Sequence, residues 1–174
     1  MRWMWIAGGL MPVAVLTVGS IASATGGQSE ADKPIVCPLS APYRTDNPFA
    51  RILRHELPVS IIAEDRRVIA IVPLDWKRPG HALVIPRAPV RNLYDLNDRD
   101  TLALMRMAKR VATAQQRAFG STGFALQQNN AVSQHVCHFH LHVTPNTPPA
   151  PRPNATRAEM DDIARRLKAA LPPG

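Results

Sequence analysis

The chain has 174 residues, 45% of them hydrophobic and 20% charged, which is enough apolar content for one packed domain and too much for a disordered segment. Its net charge is +8, yet Lys and Arg never run more than two in a row, which argues against a nucleic-acid-binding tail or a polybasic lipid patch. A scattered basic surface still raises the local concentration of an anionic small molecule.

Residues 1–24 read as an export signal. Arg2 is a minimal positive start, residues 3–21 are almost wholly apolar, and Ala22-Ser23-Ala24 has the small-x-small form of a signal peptidase site. Cleavage there gives a mature chain starting at Thr25. Left uncleaved, the same run approaches the roughly 20 residues that span a bilayer and would serve as a membrane anchor. Either way the domain is expected to be exported, to the periplasm or another extracytoplasmic space. No Cys lies near residue 24, which speaks against a lipoprotein. In an oxidising compartment Cys37 and Cys137 either pair or stay as two thiols, with Cys137 buried as a small apolar side chain.

Residues 25–46 form an irregular lead-in. Residues 47–55 fit a short helix with Phe49, Ile52 and Leu53 on one face, stopped by Pro58. The β-branched runs 59–63 and 68–72, separated by Glu64-Asp65-Arg66-Arg67, suggest an antiparallel hairpin. Pro79-Gly80 marks a turn, and residues 81–85 form a third strand closed by Pro86. A helix is predicted over 98–119, with Leu104, Ala108, Val111 and Ala118 on one face and Gly120 as its C-cap. Residues 124–128 and 136–143 are two more strands. Pro-rich residues 145–153 connect to a last helix that opens on the capping box Thr156-Arg157-Ala158-Glu159 and ends near Leu171. The parts are thus a signal (1–24), an irregular segment (25–46), the main domain (47–145) and a connector with a C-terminal helix (146–174). Five strands, short links and one long helix between the third and fourth strands predict an α+β domain with a mainly antiparallel sheet.

Four of the six histidines lie between residues 135 and 142. On a strand, alternate side chains share a face, so His138, His140 and His142 line one surface while Cys137, Phe139, Leu141 and Val143 point into the core. A core strand has no structural use for three imidazoles on one face, and an exposed edge would serve as well with Thr, Lys or Ser. A zinc site is the first functional alternative, but His138 and His142 are about 13 Å apart on an extended strand. Ligand bonds are only about 2 Å long, so a further ligand such as His81 or Asp75 would be needed. In the second alternative, His140 is a nucleophile. A neutral imidazole attacks phosphorus if one ring nitrogen is held as a donor and the other keeps its lone pair. Asn129, Gln134 and His135, just upstream, could then meet phosphate oxygens.

The segment Gln134-His135-Val136-Cys137-His138-Phe139-His140-Leu141-His142-Val143-Thr144-Pro145 resembles the signature of the histidine triad (HIT) family. Pro79-Gly80-His81-Ala82-Leu83-Val84-Ile85-Pro86-Arg87 resembles the family's second recurring segment, and residues 60–65 and 90–96 also fit. The resemblance spans residues 47–145. It implies a HIT-like α+β fold, often a homodimer, and a nucleotidyl hydrolase or transferase that attacks the α-phosphorus through a nucleotidyl-histidine intermediate. Carried over by position, His140 is the nucleophile, with His138 and His142 orienting it and binding phosphate. His81 supports them, and Asn129 and Gln134 lie near the phosphate.

Three departures bear on specificity. His135 stands where many members have Ser or Thr at the leaving group. Ser133 replaces a usual glycine in a short loop. Pro73 replaces an Asp that binds the ribose hydroxyls, with Asp75 two residues on as a substitute. Asn47 and Ala50 stand where zinc-binding members carry an early Cys-x-x-Cys, so neither a structural metal nor a cofactor is expected. The expected partner is a nucleotide-containing small molecule, not a nucleic acid, joined through a phosphoanhydride, phosphoramidate or related ester. A related group of exported enzymes acts on CDP-lipids. The alternatives are a nucleotide binder without turnover and an exported metal-binding protein.

Overall fold

A computed structural model describes residues 36–151 and 154–173. The expected export signal and residues 25–35 of the irregular lead-in lie outside the described residues. Among the described residues, no helix is long and apolar enough to cross a membrane.

The elements run α1 (Pro48–Leu53), β1 (Ser60–Glu64), β2 (Val68–Val72), β3 (Ala82–Pro86), a 3-10 turn (Leu93–Asp95), α2 (Asp98–Phe119), β4 (Phe124–Gln127), β5 (Leu141–Pro145) and α3 (Arg157–Ala170). The strands form one sheet in the order β1-β2-β3-β5-β4, every neighbouring pair antiparallel. This is the α+β architecture that the strand and helix pattern predicts.

Alternation along β2 and β3 splits the interior in two. Val68, Ala70, Val72, Ala82 and Val84 face α2 and α3, where they meet Leu104, Met107, Val111, Ile163 and Leu167. Ile69, Ile71, Leu83 and Ile85 face the other way and pack on Phe49 of α1. Both strands are buried on both faces, as their continuous apolar runs require. α2 starts on Asn97, whose side chain accepts from the Asp100 N–H, and stops at Gly120 in the left-handed region (φ 65°). The capping box at Thr156 and Glu159 starts α3.

The last strand differs from its sequence-based bounds. Only residues from Leu141 onward pair with β3 and β4, so His138 and His140 precede the strand. The reason lies at Pro86, which ends β3 and has no N–H to extend the ladder. The Phe139 N–H instead bonds the Val90 carbonyl at 2.9 Å. The alternation survives past the bend at residues 136–138: Phe139, Leu141 and Val143 enter the helix-side core and the histidines take the opposite face. Cys137 does not join that core. It is half-buried and forms a disulfide with Cys37, 100 residues away, which settles the pairing of the two cysteines.

Candidate functional site

The site is built on the face of β3 and β5 that carries α1. Gly80 takes a φ of 92°, and a Cβ there would come within 3.1 Å of Phe119, so the turn before β3 closes only around glycine. That turn brings His81 beside His142 at a ring-centroid distance of 5.2 Å, with His140 5.1 Å beyond His142. Gln115, buried on α2, donates to the carbonyls of Gly80 and Val143, both at 2.9 Å. One polar side chain on a core-facing helix therefore fixes the backbone next to both His81 and His142. Phe49 closes the other side, edge-on to His140 at 5.0 Å and to His138 at 6.2 Å.

Hydrogen bonds assign a tautomer to each ring. His140 Nδ1–H donates to the His138 carbonyl at 2.8 Å, which leaves the lone pair on Nε2. His138 Nε2–H donates to the Pro86 carbonyl at 2.9 Å. Its Nδ1 accepts from the Tyr43 hydroxyl at 2.6 Å. Burial lowers the affinity of all four imidazoles for a proton. It pushes His138 and His142 down to about 4, and His81 to about 3 with help from the neighbouring His142. His140 is lowered too, mainly by burial, while the Asp75 carboxylate opposes the shift and His135 adds to it. The rings are therefore neutral at pH 7, the state an imidazole nucleophile needs.

A cavity of about 400 Å³ opens beside the triad, lined by Phe49, Ile52, Val59, Leu83 and Val136, with Asp75 and Arg157 as its charged members. It is a mostly apolar slot with few polar groups, the form of a small-molecule site. Pro73 also lines it, and the exposed Asp75 is the carboxylate next to it. Among the described residues, no three His, Cys, Asp or Glu side chains converge as a metal site.

His135 is exposed at the mouth of the loop that precedes the triad. Asn129 is half-buried, accepts from Gln127 Nε2 at 3.2 Å and donates to the Ser133 carbonyl at 3.0 Å, so it braces that loop. Gln134 departs from its expected place at the phosphate. Its side chain is buried, and both Nε2 hydrogens go to the carbonyls of Arg91 (2.6 Å) and Val136 (3.1 Å). Its Oε1 accepts from the Ala131 N–H at 3.1 Å. A phosphate ligand must donate, and Gln134 has no donor left: it holds the loop instead. Sequence reasoning missed Gln115 and Tyr43. Gln115 carries a signal, as a polar residue on the apolar stripe of α2, whereas Tyr43 in an irregular segment carries none.

The HIT domain family model matches residues 54–148. A HIT-like protein of Mesomycoplasma hyorhinis is 35% identical over 99 residues, 56% of this chain and 89% of the relative. The purine nucleoside phosphoramidase of Escherichia coli is 30% identical over 106 residues, 59% of this chain and 89% of that enzyme. Among solved structures, a HIT-like protein involved in cell-cycle regulation from Bartonella henselae superposes with a TM-score of 0.71 at 31% identity, covering 75% of this chain and all of that one.

Proposed function

The chain belongs to the HIT domain family, and from that premise we propose that it is a nucleotide hydrolase or transferase that works through a nucleotidyl-histidine intermediate on His140. The observation that carries this reading is the bond from His140 Nδ1–H to the His138 carbonyl, which leaves a neutral ring with its lone pair on Nε2. That nitrogen attacks the α-phosphorus, and the bond from phosphorus to the leaving oxygen or nitrogen breaks. The leaving group takes its proton from His135. Water then attacks phosphorus, the bond to Nε2 breaks, and the nucleoside monophosphate departs. The proton released by water restores His135, and His140 returns to its neutral form.

The phosphoramidase relative supports a phosphoramidate or phosphoanhydride of a nucleotide as the substrate class. The apolar slot takes the nucleoside, and Asp75 meets the ribose in place of the acid that Pro73 lacks. A panel of nucleoside phosphoramidates, dinucleoside polyphosphates and CDP-lipid tests the class. Rapid quench with a labelled nucleotide should trap an acid-labile adduct on His140, and His140→Ala should remove nearly all turnover. Turnover that survives His140→Ala, or an adduct that maps elsewhere, rejects the reading.

The proposal extends to location and assembly. Residues 1–24 direct export, and the Cys37–Cys137 disulfide supports an oxidising compartment. An intact mass beginning at Thr25 is expected, and a full-length cytoplasmic species would reject export. Two copies pair through the exposed edge of β4.

A further inference from the structure

The segment from Cys37 to Asn47 has no helix or strand, yet it is tied down along its length. Cys37 is joined to Cys137, the residue before His138. Arg91 donates to the Ala41 carbonyl, and the Arg91 guanidinium is itself held by Asp95 at 2.6 Å. Asn47 donates to the Arg44 carbonyl at 2.6 Å and caps α1. Between these anchors Tyr43 reaches the ring of His138, 95 residues later in the chain.

We infer that Tyr43 is a positioning residue of the histidine site and that the Cys37–Cys137 disulfide keeps it there. The donor and acceptor count carries the argument. His138 is fully buried, so both ring nitrogens need partners. A carbonyl only accepts, so Pro86 requires the proton on Nε2. Nδ1 is then an acceptor, and the Tyr43 hydroxyl is the donor that the structure supplies to it. Without that hydroxyl a buried lone pair goes unmet, and the ring gains by turning or by changing tautomer. Either movement disturbs the residue whose carbonyl holds His140 Nδ1–H. Tyr43 thus acts on the nucleophile through His138, without touching it. The disulfide matters because the strap has no sheet partner. With that end open, the strap is held from its other side alone, by the Arg91 contact, the Arg54 bond to the Thr45 carbonyl at 2.8 Å and the start of α1.

The kinetic consequence rests on the proposed role of His140, but the geometry can be read without a substrate. The experiment is nitrogen NMR of the histidine rings in the intact protein, in Tyr43→Phe and in Cys37→Ser/Cys137→Ser, with the amide spectrum confirming that each is folded. In Tyr43→Phe the His138 Nδ1 resonance should move to the value of an unbonded ring nitrogen, and His140 should lose part of its Nδ1–H tautomer. The double cysteine variant should show both changes. With a nucleotide phosphoramidate, kcat in Tyr43→Phe should fall about tenfold with KM little altered. An unmoved His138 signal in Tyr43→Phe overturns the hydrogen bond. Unmoved His140 signals, or an unchanged kcat, overturn the positioning role. Unmoved signals in the double cysteine variant overturn the part given to the disulfide. If the unaltered protein turns over no nucleotide, the proposed function fails while the ring spectra still decide the role of Tyr43.

Discussion

His142 receives its tautomer from His81. The Lys77 N–H occupies His81 Nδ1 at 3.3 Å, so His81 carries its proton on Nε2 and donates it to His142 Nδ1 at 3.0 Å. His142 is left with its proton on Nε2, the donor that the proposed phosphate contact requires. His81→Ala removes this relay and leaves a hole where a fully buried ring stood. The expected loss in kcat is on the order of 10- to 100-fold. His142→Ala should cost a similar amount, and the double variant little more, because the two rings act as one unit. Steady-state kinetics on the four proteins of this cycle checks the relay, and losses that simply multiply would reject it.

The buried rings also tie stability to pH. His81 titrates near 3 and His138 and His142 near 4, all below the ordinary 6.5 that the unfolded chain keeps. Between those values the unfolded chain binds more protons than the folded one, so stability rises with pH across the window. The contribution is complete above about 6.5 and is lost as pH falls through about 4 toward 3. The urea midpoint should therefore be level from pH 7 to 8 and decline steadily below 6.5. Replacing His138 with Asn should make the decline shallower. A midpoint that holds level from 6.5 down to 4 would contradict the burial of these rings as neutral species.

Much of this site is legible in the sequence, for a local reason. The alternation of His138, His140 and His142 with Phe139, Leu141 and Val143 sorts the side chains between two faces of the sheet. That sorting holds even where the backbone leaves the sheet. The strand's start is not legible, because it depends on Pro86, 52 residues before His138, ending the neighbouring strand. The role of Gln134 escapes for the same kind of reason. An amide near a phosphate loop looks like a ligand until its donors are found on the carbonyls of Arg91 and Val136. Helix α2 is read to its ends because Asn97 and Gly120 cap it through local contacts. Tyr43 is invisible, since its partner is set by a disulfide that closes over 100 residues.

The loop before the triad holds two residues in an unfavourable backbone region. Ala131 and Ser133 have φ of 60° and 55°, which L-residues adopt at a cost and glycine adopts freely. At Ala131 the N–H that donates to Gln134 Oε1 and the carbonyl that accepts from the Gln134 N–H both survive in a glycine variant, because they use only backbone on the Ala131 side. Ala131→Gly should therefore stabilise the fold by about 1 kcal/mol, while Ala131→Val, with a branched Cβ, should destabilise it. Urea unfolding of the two variants gives the answer. A glycine variant less stable than the original would mean that the side chain contributes more than its conformation costs.

The edge of the sheet gives the last prediction. β4 pairs on one side with β5, and all four of its residues are exposed. Phe124 and Leu126 are 54% and 40% exposed, and nearby on α2 Met105 is 48% exposed. Met105, Phe124 and Leu126 line a cleft of about 290 Å³ between strand and helix. An unpaired strand edge flanked by apolar side chains is a template for another strand. A second copy of the chain would supply that strand in the same form, and a two-fold axis pairing β4 with β4 would bury both apolar patches at once. Light scattering should then report twice the chain mass for the unaltered protein. Phe124→Lys/Leu126→Lys should shift it to a single chain. Its histidine site should be disturbed too, because Gln127 of β4 stands opposite His142 of β5. The expected sign is a rise in KM together with the loss of the dimer. A single-chain mass for the unaltered protein at high concentration would reject the pairing, whatever the lysine variant does.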